Sequence, residues 1–150
     1  MCMVVWCRWQ SAGLVVAGLV VLGAGSAWGS ELVVEVSGIE ADEGEVGCAL
    51  HDDPEKFPME SSAANEVWLD AKTTGVQCRF EGLTPGRYAV AISQDFNGNR
   101  ETDTNWIGMP TEPWGVSNNV RPLLRAPRFD EAAVEVADGE AVRIAVELAE

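Results

Sequence analysis

Residues 76–93, VQCRFEGLTPGRYAVAIS, decide the fold. In the first half, Val76, Cys78 and Phe80 share one face, with Gln77, Arg79 and Glu81 between them. In the second half, Tyr88, Val90 and Ile92 share a face. A period of two puts alternate side chains on opposite faces of a strand, so both halves read as half-buried β-strands. Thr84-Pro85-Gly86 lies between them. Proline presets φ and glycine accepts a positive φ, so the two strands are joined by a tight turn.

The same pattern extends outward. Leu32–Ile39, Glu45–His51, Val67–Thr73, Phe129–Val136 and Ala141–Leu148 read as further strands, and Asp138-Gly139 marks a hairpin between the last two. Residues 52–65 read as a polar loop with one helical turn near Ser61–Glu66. About seven short strands with turn signals at intervals predict an all-β protein, an antiparallel β-sandwich.

Residues 1–29 stand apart. A short segment carrying Arg8 precedes the uncharged apolar run Ala12–Gly23 and the small residues Gly25–Gly29, the layout of a signal peptide cleaved after Gly29. The apolar run is short for a bilayer span of about 20 residues, and an uncleaved anchor is the alternative. Cys2 and Cys7 precede the run, misplaced for a lipid-bearing cysteine. The expected domain is residues 30–150, exported to the periplasm or secreted, with no stable membrane insertion once the signal is removed. The whole chain carries a formal charge of −14, and losing Arg8 takes it to −15. Such a chain repels nucleic acid and anionic membranes, so its partner is expected to be an extracytoplasmic ligand or protein. Cys48 shares a face with Val46 and Leu50, and Cys78 with Val76 and Phe80; both thiols point inward, and a Cys48–Cys78 disulfide is expected in an exported chain.

Asp95–Asn119, DFNGNRETDTNWIGMPTEPWGVSNN, is the functional candidate. It is long and aperiodic, which marks a functional or a disordered segment, and its tryptophans and alternating carboxylates argue against disorder. Asp95, Asn97, Asn99, Glu101 and Asp103 place oxygens at every second position. Calcium wants six to eight oxygens on a flexible loop, so these residues are a candidate calcium set. Arg100 stands where a calcium loop needs its turn glycine, and Trp106 where it needs a bidentate glutamate, so binding would be weak. The competing reading is that these side chains cap turns by bonding their own backbone.

The segment Leu83–Asn119 resembles the bacterial exported DUF2141 family, whose function is uncharacterised. The residues that carry the resemblance are the G-L-x-P-G-x-Y-A-V run, then Asp95 to Asn105, then the G-x-P-x-E stretch ending in Ser117-Asn118-Asn119, and finally Arg125–Ala132. Cys48 and Cys78 fall where many members carry cysteines. The resemblance implies a transthyretin-like or Ig-like sandwich and no known activity. Gln94 replaces the family's usual His, and Arg100 its usual Gly.

Trp106 and Trp114, with Glu112, Asn118 and Asn119, form a candidate ligand surface for sugar or peptide. The competing reading folds both rings back over an end of the sandwich, and it assigns the asparagines to local hydrogen bonds. Arg121, Arg125 and Arg128 are a basic cluster, expected to be locally paired. Catalysis has little support: His51 is the one histidine, no nucleophile elbow exists, and Asp95, Asp103 and Glu112 are the carboxylates a hydrolase would have to use. The sequence therefore points to a non-enzymatic binding or accessory domain. The alternatives are an envelope-associated structural protein and, third, a carboxylate-based hydrolase.

Overall fold

The computed structural model describes residues 29–62, 65–107 and 110–149. The expected signal segment, apart from Gly29, lies outside the described residues. Among the described residues, eight strands form two facing sheets. They are β1 (Ser30–Ser37), β2 (Glu45–His51), β3 (Glu66–Asp70), β4 (Val76–Leu83), β5 (Gly86–Asp95), β6 (Trp114–Val116), β7 (Val134–Val136) and β8 (Ala141–Glu147). One sheet has the order β4-β1-β8; the other has β3-β2-β5-β6, with β7 paired to the start of β5. The all-β sandwich read from the alternation is therefore the fold.

Two details depart from the sequence reading. β1 and β8 pair in parallel, so the sandwich is mixed instead of wholly antiparallel. Phe129–Val136 is not one strand: Phe129–Ala132 is a single helical turn and only Val134–Val136 pairs. Glu131 explains the turn, because its carboxylate accepts the Arg128 N–H at 3.1 Å and a bidentate pair from Arg125. Phe129 and Ala132, three apart, then bury the same side. The chain also turns at residues 54–59, and in the expected helical turn near Ser61–Glu66 Asn65 is helical, its N–H bonded to the Ser62 carbonyl at 2.8 Å, while residues 63 and 64 are not described.

The core lies between the sheets. Leu32, Val34 and Val36 of β1 meet Val46 and Leu50 of β2 and Val90 and Ile92 of β5, all buried. Cys48 and Cys78 are bonded within it, at a sequence separation of 30. The bond ties β2 in one sheet to β4 in the other. In the chain-entropy account such a link stabilises by about 3–4 kcal/mol.

The outer face of the five-stranded sheet carries a second, smaller cluster of Phe57, Ala89, Val116, Phe129 and Ala132. His51 ends the outward column of β2 here. It faces away from the main core, as its parity requires, yet it is only 3% exposed, because Phe57 closes over it with ring centroids 5.3 Å apart. Its Nε2 is a buried atom without a hydrogen-bond partner. Burial pushes its pKa below the ordinary 6.5, against weaker opposing pulls from Asp52 and Glu66. The folded state therefore prefers the neutral ring, so this contribution to stability is complete above pH 6.5 and is lost as pH falls through the lowered value. Urea unfolding at pH values on either side of 6.5 should give a lower midpoint on the acid side, and His51→Phe should remove that part of the difference. An unchanged pH response in the variant would show that His51 titrates as it does in the unfolded chain.

Candidate ligand-binding cleft

The loop that leaves β5 is built on Asp95, which is wholly buried. Its Oδ1 accepts the N–H groups of Asn97 at 3.1 Å and Gly98 at 2.8 Å, and its Oδ2 accepts that of Arg100 at 2.6 Å. The next alternating oxygens repeat the device. Asn97 Oδ1 accepts the N–H of Asn99, and Asn99 Oδ1 that of Glu101, each at 2.8 Å. Both amide groups then donate to the Asp103 carboxylate. Asx side chains that bond the backbone two residues on are ordinary turn chemistry, and it accounts for the alternation.

This geometry supports the turn-capping reading of the alternation: side-chain oxygens of Asp95, Asn97, Asn99 and Asp103 accept the loop's own donors, and among the described residues no group of three or more His, Cys, Asp or Glu side chains gathers to hold a metal. At the position of the missing turn glycine, Arg100 takes the left-handed conformation with φ 57°. Its guanidinium pairs bidentately with Glu45 at 3.0 Å and lies over the Trp68 ring at 5.5 Å. The loop is thereby fastened to β2 and β3 by its own cation. Gln94 acts in the same way on the inner side. Fully buried, it accepts the Glu40 N–H and donates to the carbonyls of Ala41 and Glu43, at 2.9–3.0 Å.

The expected ligand surface divides. Glu112 is buried and accepts the N–H of Phe96 at 3.1 Å and of Asp103 at 3.4 Å, so it holds the loop. Asn118 and Asn119, both at positive φ, bond the carbonyls of Glu131, Ala133 and Ala145, and they are structural too. Their short amide side chains suit the left-handed region and a local bond together. Trp106 does not fold back. It is 94% exposed at the loop tip, beyond the bridge between Thr104 and Pro110. Trp114 is half-buried in β6 with Arg121 stacked 5.6 Å from its ring.

Trp114 belongs to a different arrangement, which no single stretch of sequence displays. Strand register aligns Trp68, Gly47, Ser93 and Trp114 in one row across β3, β2, β5 and β6. The next row is Glu66, Ala49, Ala91 and Val116. Two indoles thus stand at the flanks of a floor with almost no side chains. Trp68 leans inward: a Cβ on Gly47 would sit 2.5 Å from its ring, so only glycine fits beneath it. The result is a cleft of about 630 Å³. The residue 100–102 segment borders it, as do residues 58–61 and the segment from Pro122 to Pro127. Of the large exposed apolar residues, Met59, Leu123 and Leu124 sit on these bordering segments, while Phe96, Trp106 and Ile107 lie elsewhere on the loop after β5. Arg100 and Arg125 face the cleft already neutralised, the latter by Glu131, whose pKa is drawn down to about 2 by that pair and by the Arg128 N–H.

A sandwich with a tryptophan-flanked trough on one sheet is the class that fold and site define. Residues 34–144 match the family described as an uncharacterised protein conserved in bacteria (DUF2141), and the chain belongs to that family. A search of the curated proteins and one of the solved structures each gave no match.

Asp95→Asn retains one acceptor oxygen and loses the other. The variant should unfold about 2–3 kcal/mol more easily, the cost of a charge-assisted bond and a stranded buried donor. Urea titration checks this. The loss should be the same in millimolar calcium and in EDTA; a deficit that appears only in calcium would instead assign these oxygens to a cation.

Proposed function

We propose that the chain is an exported, non-enzymatic binding module whose ligand lies in the trough between Trp68 and Trp114. The observation that carries this reading is the row Trp68–Gly47–Ser93–Trp114, which leaves a concave, aromatic-flanked site on an otherwise regular sheet. Concave sites with apolar walls and a few polar groups are where small ligands bind. The signal-like sequence of residues 1–29 and the Cys48–Cys78 bond support export. Among the described residues no helix is long and apolar enough to cross a membrane.

The buried network of Gln94, Asp95 and Glu112 favours a structural role for the residue 95–103 loop itself. This sits within the binding reading, because that loop forms one border of the trough. The carboxylates a hydrolase would need, Asp95, Asp103 and Glu112, all accept bonds that hold the loop.

Leucine at Ala91 would fill the floor without touching the inter-sheet core. In a thermal-shift screen of saccharides, peptides and small metabolites, compounds that raise the melting temperature of the mature protein should lose that effect in Ala91→Leu. Compounds that stabilise both proteins equally would place the binding site elsewhere.

A further inference from the structure

We infer that the trough takes a neutral oligosaccharide, lying along β2 and β5 between the indoles of Trp68 and Trp114. This rests on the binding reading above and narrows it to a ligand class.

Charge is the first argument. The two arginines that border the trough are each held by a bidentate carboxylate, Arg100 by Glu45 and Arg125 by Glu131. Neither offers an unbalanced positive charge to an anion; Arg121, over Trp114, spends its donors on the carbonyls of Glu147 and Ala149, and the chain as a whole is strongly acidic. A phosphate-bearing or uronic-acid ligand would meet net repulsion. Glu66 is also engaged, accepting from Ser61 Oγ and Trp68 Nε1.

The second argument is the floor. Every residue in it belongs to a strand paired on both sides, so its backbone groups are committed to the ladders. A peptide laid on the face of the sheet would find no main-chain partners there, and buried amides without partners are costly. A pyranose brings no such debt: its C–H face can lie on the small floor residues Ala49 and Ala91, and its hydroxyls project sideways toward the rim. Ser93, Thr102 and the rim carboxylates Glu60 and Glu101 stand where those hydroxyls would be met.

Shape is the third. The two tryptophans sit on strands three steps apart, roughly 14 Å between backbones at the usual strand spacing. With Trp68 folded over Gly47, the cleft of about 630 Å³ that remains has room for a short chain of sugar rings.

The test is titration of mature protein with cellohexaose, chitohexaose and maltoheptaose, followed by intrinsic tryptophan fluorescence and calorimetry. Oligogalacturonate, decaproline and hexalysine serve as the charged and peptide arms. At least one neutral oligosaccharide should bind, with an affinity that does not change with salt. Trp68→Ala should weaken it about tenfold, the scale of one aromatic contact. Ala91→Leu, checked for folding by circular dichroism, should abolish it. If the neutral sugars fail while decaproline or hexalysine binds and is blocked by Ala91→Leu, the trough is a ligand site but the saccharide inference is wrong. Failure of every neutral sugar overturns it likewise. Sugar binding that survives Ala91→Leu overturns both readings, since the sugar would then bind outside the trough.

Discussion

One buried carboxylate sets the geometry on which the candidate site depends. Asp95 ends β5 and gathers three backbone N–H groups of the following loop, from Asn97, Gly98 and Arg100. That fold of the backbone puts Arg100 in the left-handed region and sends its guanidinium across to Glu45 and Trp68. Charge-assisted bonds from a buried acceptor are among the stronger local interactions in a protein. The loop is long, yet its start is fixed, and the border of the trough is fixed with it.

β5 joins this loop to the rest of the molecule. Its inward residues Tyr88, Val90 and Ile92 belong to the inter-sheet core. Its outward residues Ala91 and Ser93 form the floor of the trough. Its last two residues, Gln94 and Asp95, anchor a loop on either side. A single ten-residue strand thus carries core, floor and loop anchors, which leaves its outward positions free to stay small. An ordinary exposed sheet would place longer polar side chains there. The small residues at Gly47, Ala49 and Ala91, together with the flanking indoles, are what distinguish this face.

Much of the fold could be read from period-two alternation, because each strand declares its own faces. The inward placement of Cys48 and Cys78 followed from parity alone, and the bond between them is present. The parallel pairing of β1 with β8 was invisible, since it relates the two ends of the domain and no local signal encodes it. β6 was hidden inside the loop because three residues are too few for a period. For the site, the loop's oxygen alternation was legible, and its turn chemistry was one of the two readings it allowed. His51 was correctly turned from the main core but lies under Phe57, which comes from a loop whose path parity does not describe. Trp68 was missed for a similar reason. Its role comes from a glycine opposite it and from a tryptophan three strands away, and register, not sequence spacing, brings them into line. The signal that could have pointed there was the run of small outward residues in β2 and β5, Gly47, Ala49, Ala91 and Ser93.

The central claim is that the part of the outer face around Ala91, between Trp68 and Trp114, is an open trough in the folded protein, whatever occupies it. A thiol placed on its floor reports on this without knowledge of the ligand. Ala91→Cys adds one free thiol to a domain whose own cysteines are bonded to each other. The rate at which a small thiol reagent labels the folded variant, compared with the urea-unfolded chain, gives the protection at that position. The account predicts labelling of the folded protein at a rate close to that of the unfolded chain. Protection as strong as global unfolding would mean that the face is covered, and would contradict it.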